Sequence, residues 1–443
     1  MMVALLEPQS NAEKAAAFWR NPSAWLRQQK LSRGFWVFFM AAFFFDAGFA
    51  VYFFLFNLFL LDYRFSDRSI GLIGGAVTLG TLVGTLPTGI IARRIGVKPV
   101  LILCFVSASV LNAARVLWMW EPAQIGLALL AGLAMCMWGV CFLPAVARLT
   151  TEVNRTSGYS LIFSASLGTS ILGGIVCGFL PQWLRAVGIV MQAADVKRII
   201  LLGACGIALV GLLPVLKLQP LKQSPENASG SIPPTRAMQV RRLLLQPFLL
   251  RFLPLMALWS AVLAAFTPFG NVYLSRVLHV PIAQIGLIFS ATQVVQFCMG
   301  LLAPVIFRLL GLVKGIAATQ IIAAIALALL AETTYPRLAM TLYLTFSAAQ
   351  WMCAPGLYNL LMNETPDSER SPAAAMTLFC NALAGSAATA AAGILFTRFG
   401  YPPVLLGIAA LATLIALLFR LFVLPSRHDV AGAAAQFLKE EAR

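Results

Sequence analysis

Residues 34–61 read GFWVFFMAAFFFDAGFAVYFFLFNLFLL, an apolar stretch interrupted only by Asp46 near its middle and Asn57 near its end. As a helix rising about 1.5 Å per residue it is long enough to cross a hydrocarbon core of roughly 30 Å. A carboxyl group at such a depth costs roughly 3 kcal/mol on insertion scales, so chains keep one where it faces other helices or a water-filled cavity. Asn57 lies eleven residues beyond Asp46, which brings it back to within about 20° of the Asp46 direction on a helix. Asp46, Ala50, Phe53 and Asn57 therefore share one stripe, and the flanking Phe residues suit lipid or helix packing.

The rest of the chain has the same character. Of its 443 residues 60% are hydrophobic and 11% charged, far from the soluble average, so the chain reads as an all-α, multi-pass membrane protein. The formal charge of +16 comes from basic residues in short connections between apolar runs. That is the pattern of membrane topology, and no nucleic-acid partner is expected. The eight cysteines lie inside apolar runs without a C-x-x-C pair and read as small packing residues. His279 and His428 have no partners for a metal site or a nucleophilic triad. No cofactor or metal is expected, and no cluster of acids, His or nucleophile at a common depth points to an enzyme.

Residues 1–34 mix Lys14, Arg20, Arg27, Lys30 and Arg33 with Phe18, Trp19 and Trp25, which suits a cytoplasmic segment lying in the headgroup region. The apolar run that follows is too long for a signal-peptide core and is read as a retained span. Eleven further apolar runs bring the count to twelve spans, in two six-helix bundles at 35–216 and 248–424. Between them, residues 217–247 are rich in Pro, Ser, Asn and basic residues and read as a flexible cytoplasmic linker. Residues 425–443 form a tail. Placing the N-terminus inside leaves 22 Lys and Arg on that side and eight on the other, so both termini are expected in the cytoplasm, with the chain in the plasma (cell inner) membrane.

The halves echo each other. Asn57-Leu-Phe-Leu-Leu, followed fourteen residues later by Gly71-Leu72-Ile73, recurs as Asn271-Val-Tyr-Leu-Ser, followed fifteen residues later by Gly286-Leu287-Ile288. Arg94-x-Gly96-x-Lys98 has a looser counterpart in Arg308-x-x-Gly311-x-x-Lys314, and Pro144 with Glu152 corresponds to Pro355 with Glu364. Three matches in the same order imply two similarly oriented six-helix halves.

From about Phe35 to Leu424 the chain thus resembles the major facilitator superfamily of secondary transporters. The family pattern Gly-x-Leu-Ala-Asp-Arg-x-Gly-Arg-Arg is met after the second span by Gly89, Ala92, Arg94, Gly96 and Lys98, with Arg93 where the family has Asp and Val97 at a usual basic position. By this resemblance the stretch takes part in gating. Arg148 and Glu152, one turn apart at the inner end of the fourth span, read as a gate or a surface ion pair. The glycines of the fifth span, Gly168, Gly173, Gly174 and Gly178, read as small residues permitting close helix contact.

The resemblance implies a substrate cavity between the halves. Candidates at suitable depth are Asp46, Tyr52, Asn57, Trp138, Trp259, Gln293, Gln296, Tyr343, Gln350, Trp351, Asn359 and Asn381. Each serves equally as interhelical glue or as a ligand contact. Asp46 is the only acid well within the assigned hydrocarbon, and a carboxyl with alternating water access can take up and release a proton. Arg115, in the third span, either pairs inside the bundle or snorkels outward. The expected function is secondary transport of a small solute by alternating access. Proton-coupled export of an amphipathic or cationic compound leads, since the cavity is aromatic-rich with one acid. Uptake of a neutral polar metabolite such as a sugar is the first alternative, because amides match hydroxyls, and a lipid flippase or scramblase is the second. The protein is expected to act as a monomer in the lipid bilayer.

Overall fold

A computed structural model of the chain describes residues 31–151, 154–186, 188, 192–219, 246–365 and 370–423. These contain twelve long helical units, labelled here in chain order. The first half holds α1 (Arg33–Asp62), α2 (Asp67–Ile95), α3 (Val97–Leu117), α4 (Glu121–Leu149), α5 (Arg155–Ala186) and α6 (Ala193–Lys217). The second half holds α7 (Pro247–Arg276), α8 (Ile282–Leu310), α9 (Leu312–Glu332), α10 (Pro336–Glu364), α11 (Arg370–Phe399) and α12 (Tyr401–Phe422). Eleven of them are long and apolar enough to cross a membrane among the described residues. The twelfth, α10, has the length at 29 residues but is less apolar, carrying Tyr343, Ser347, Gln350, Asn359 and Asn363.

Local chemistry sets the helix ends. Ser32 and Ser66 cap α1 and α2, each hydroxyl accepting a hydrogen bond from the backbone N–H three residues on at 3.1 Å, the expected role of an N-cap serine. The α2–α3 and α8–α9 turns each pass through a glycine in a left-handed conformation, Gly96 at φ 91° and Gly311 at φ 79°. Only glycine adopts such a φ without a Cβ penalty, and the two positions are those paired by the sequence repeat. Gln124 of α4 closes α3 by donating to the carbonyls of Arg115 and Trp118.

Consecutive helices alternate in direction, so α1 and α7 both begin at the end of the bundle where the linker attaches, and α2 and α8 begin at the opposite, Asp62 end. Within the first half α1 packs on α5 and α6, and α2 on α4; within the second, α7 packs on α11, and α9 on α10 and α12. The halves meet chiefly through α2 against α11 and α5 against α8. Both seams lie in the parts of these helices nearer the Asp62 end, and both depend on glycine. A Cβ on Gly71 would lie 2.8 Å from the Cα of Gly393, and one on Gly286 would lie 2.9 Å from the Cα of Gly178. Hydroxyls fasten them: Ser386 Oγ donates to the Gly75 carbonyl at 2.7 Å, and Ser290 Oγ to the Ile171 carbonyl at 2.7 Å. Close backbone approach with serine hydrogen bonds is how helices associate where no hydrophobic force separates them from lipid.

Candidate functional site

The site is built around a break in α7. Pro268 has no backbone N–H and its ring displaces the carbonyl four residues back, so the helix runs to Phe266, tightens into a 3-10 turn at Thr267–Phe269 and resumes as Gly270–Arg276. The freed carbonyl of Ala264 accepts a hydrogen bond from Thr389 Oγ1 of α11 at 2.9 Å. The carbonyl of Pro268 accepts one from Asn57 Nδ2 of α1 at 2.8 Å. Helix-breaking residues are tolerated in a membrane when neighbours satisfy the released groups in this way.

On the linker side of this break, α7, α10 and α11 line a half-open cavity of about 380 Å³, which Thr78 of α2 also borders. Trp259, Ser260, Gln350, Tyr358 and Asn381 supply its aromatic and polar lining, and Met256, Leu263, Leu357 and Leu378 the apolar part. Ser260 Oγ donates to the Asn381 carbonyl at 3.1 Å, and Thr267 Oγ1 to Gln350 Oε1 at 3.3 Å. The side-chain oxygen Oδ1 of Asn381 is buried without a hydrogen-bond partner among the described residues. None of the lining side chains carries a formal charge. Such a pocket, mostly apolar with a few convergent hydroxyl and amide groups, can stack a ring and match hydroxyls.

Of the residues singled out from the sequence, Trp259, Gln350 and Asn381 come together here. Others lie elsewhere. Tyr52 is buried inside the first half, its hydroxyl donating to the Asn112 carbonyl at 3.2 Å and its ring stacked on Phe56. It faces away from the cavity because it sits on the side of α1 turned to α3. Trp138 belongs to an aromatic cluster with Phe38, Phe45, Phe105 and Phe142 that joins α1, α3 and α4. Asn57 is an interface residue at the end of its stripe. Gln293 and Gln296 are half-buried on α8, Trp351 is half-exposed beside Gly300, and Asn359 is exposed. Tyr343 packs its ring against Gly270, below the resumption of α7.

Asp46 is half-buried on α1, with the hydroxyl of Ser166 on α5 within hydrogen-bonding reach of its carboxyl group. It shares a helix face with Ala50, which lies against Gly173 of α5, and with Asn57, which reaches α7. Arg115 stays inside the first half: its guanidinium donates to Asn112 Oδ1 at 3.1 Å and lies 4.3 Å from the centroid of the Phe56 ring. It does not snorkel.

In the stretch after α2, Arg93 Nε donates to the Gly89 carbonyl of its own helix at 3.3 Å, Arg94 is exposed, and Lys98 Nζ donates to the Leu216 carbonyl at the end of α6 at 2.9 Å. Arg148 is exposed, and Glu152, its expected partner, lies outside the described residues.

Three features escaped sequence reasoning. Ser166 and Thr78 are each one of several hydroxyl residues along their helices, with no pattern to mark them out from the others. The third is an ion pair at the Asp62 end, where Arg276 of α7 meets the buried Asp67 of α2 at 3.0 Å, with the Tyr401 hydroxyl close by. An acid opening one helix and a base closing another on the same side were the only signals available.

Comparison with known proteins bears on this arrangement. The family model described as Major Facilitator Superfamily matches residues 38–389. No curated protein matches the chain. Among solved structures, the nucleoside transporter NupG is similar at a TM-score of 0.73 and 15% identity, over 89% of this chain and 100% of that one. A D-xylose-proton symporter is similar at a TM-score of 0.67 and 15% identity, over 87% and 96%. The inward-open xylose transporter XylE from E. coli is similar at 0.64 and 16%, over 88% and 95%. At such identities the likeness concerns the fold alone.

Proposed function

The chain belongs to the major facilitator superfamily, and we propose that it is a proton-coupled secondary transporter of a small neutral polar solute, bound in the cavity between α7, α10 and α11 and released by alternating access. The observation that carries this reading is the uncharged lining of that cavity, with Trp259 and Tyr358 for stacking and Ser260, Gln350 and Asn381 for hydrogen bonds, on one side of a seal between the halves. Two of the similar structures are a nucleoside transporter and a D-xylose-proton symporter, whose cargoes are both hydroxylated and neutral, which supports the same solute class here. The linker end is the cytoplasmic one by the count of basic residues, so the conformation is closed outward and opens inward. Asp46 is the proton site: it stands on the linker side of the Asn57 contact, on the same stripe of α1, with Ser166 as its partner. Rocking of the halves would break the seams at Gly71 and Gly286 and change water access to this carboxyl group.

Composition alone favours an amphipathic or cationic export substrate, whereas the uncharged cavity lining favours a neutral solute. The cationic reading keeps one supporting observation, the half-buried Asp46 carboxyl group itself, which lies outside the cavity lining. Thermal unfolding of the purified protein against nucleosides, sugars, organic cations and lipids separates them, because a ligand of the native state raises its stability. Stabilisation by nucleosides or sugars is expected. Stabilisation by organic cations alone, or movement of labelled lipid in liposomes, would overturn the assignment. In proteoliposomes under a proton gradient, Asp46→Asn is expected to abolish uphill accumulation while leaving exchange of solute intact; unchanged accumulation rules Asp46 out.

A further inference from the structure

Away from the cavity, α1 and α6 lie side by side and form a groove of about 430 Å³ on the outside of the first half, at the linker end. Because α1 begins where α6 finishes, Arg33 and Lys217 stand together at its mouth. Both are exposed, and neither makes an ion pair with a described residue. Lys98 brings a third cation to this level through its bond to the Leu216 carbonyl. Below the two charges the walls are apolar, with Trp36, Met40 and Phe44 on α1 and Leu213 on α6. From Arg33 to Phe44 the groove follows eleven residues of helix, about 16 Å, which is the depth of one leaflet of a hydrocarbon core roughly 30 Å thick. Trp36 stands one turn in, at the depth favoured by interfacial aromatic residues.

Paired cations at the headgroup level above an apolar channel one leaflet deep match the two chemistries of a single molecule. We propose that this groove holds one anionic phospholipid, its phosphate between Arg33 and Lys217 and an acyl chain along Trp36, Met40 and Phe44. Charge complementarity selects an anionic headgroup over a zwitterionic one, and the depth of the groove selects a lipid over a soluble phosphate.

Native mass spectrometry of the full chain, released from detergent with phosphatidylglycerol or phosphatidylcholine of identical acyl chains, tests it. One phosphatidylglycerol is expected to be retained in preference to phosphatidylcholine. Arg33→Gln and Lys217→Gln, both on the surface, should each reduce that preference roughly fivefold. Met40→Trp, which fills the groove and keeps both charges, should lose retention of either lipid. Equal retention of the two lipids by the unaltered protein would overturn the proposal, whether detergent or the chain's own first 30 residues fill the groove. So would a preference that survives the double charge variant, retention unaffected by Met40→Trp, or displacement by glycerol phosphate as effective as by short-chain phosphatidylglycerol.

Discussion

Asn57 and Asn271 bind across the interface between the halves in opposite directions: Asn57 Nδ2 donates to the Pro268 carbonyl at 2.8 Å, and Asn271 Nδ2 donates to the Phe54 carbonyl at 3.0 Å. The two residues are equivalent in the sequence repeat, so one contact has been made twice by the pseudo-twofold relation between α1 and α7. Each bond contributes about 1 kcal/mol net. Asn57→Ala and Asn271→Ala are each expected to shift the balance roughly fivefold toward opening at the Asp62 end, read as increased labelling of a cysteine introduced there. Solute affinity of the isolated linker-open state should not change.

The pair at the Asp62 end predicts an asymmetry. Asp67 is buried while Arg276 is about half-exposed. Removing the cation with Arg276→Gln leaves a buried carboxylate unpaired, whereas Asp67→Asn leaves a guanidinium that water reaches. Arg276→Gln should therefore lower the unfolding temperature more than Asp67→Asn. Equal losses would mean that the pair acts as an ordinary surface salt bridge, worth about 1 kcal/mol or less.

At the seams, glycine substitutions should separate by location. Gly286→Val and Gly393→Val push a side chain into the backbone of the facing helix, a clash of about 1–3 kcal/mol or more. They should disfavour the conformation closed at the Asp62 end, increasing cysteine labelling there. Gly203→Val and Gly407→Val, where a Cβ would meet no atom within 4 Å, should leave labelling unchanged.

In the cavity, Asn381→Ala and Gln350→Ala are expected to weaken solute binding about tenfold each, the scale of a hydrogen bond at an otherwise apolar site. Tyr52→Phe should leave affinity unchanged and lower stability by about 1 kcal/mol, since it removes the bond to Asn112 inside the first half. Isothermal titration with the solute found by thermal screening distinguishes the two classes.

The architecture was legible because it rests on local properties. Apolar runs of about 20 residues declare spans without reference to the rest of the chain, and only α10 is blurred, by the polar residues that give it a place in the cavity wall. The repeat also reads directly: Gly96 and Gly311 recur because both turns need a left-handed residue. The candidate site was legible only in part. Trp259, Gln350 and Asn381 converge on one pocket, but Tyr52 and Trp138, equally plausible by depth, turn into their own half. Depth along a helix follows from residue number; direction around it depends on which neighbour the helix packs against.

Residues 34–61 show where that division falls. Their apolar run by itself determined that a helix spans the membrane there, and the echo of Asn57 at Asn271 that the span has a partner in a second half. What faces Asp46, and what Asn57 holds, was decided by tertiary structure. The partners, Ser166 on α5 and Pro268 on α7, are brought in by the packing of helices more than a hundred residues away in the chain. An isolated polar group in an apolar span must be satisfied somewhere, but interhelical bonds and solute contacts satisfy it equally well, and only the assembled bundle separates the two.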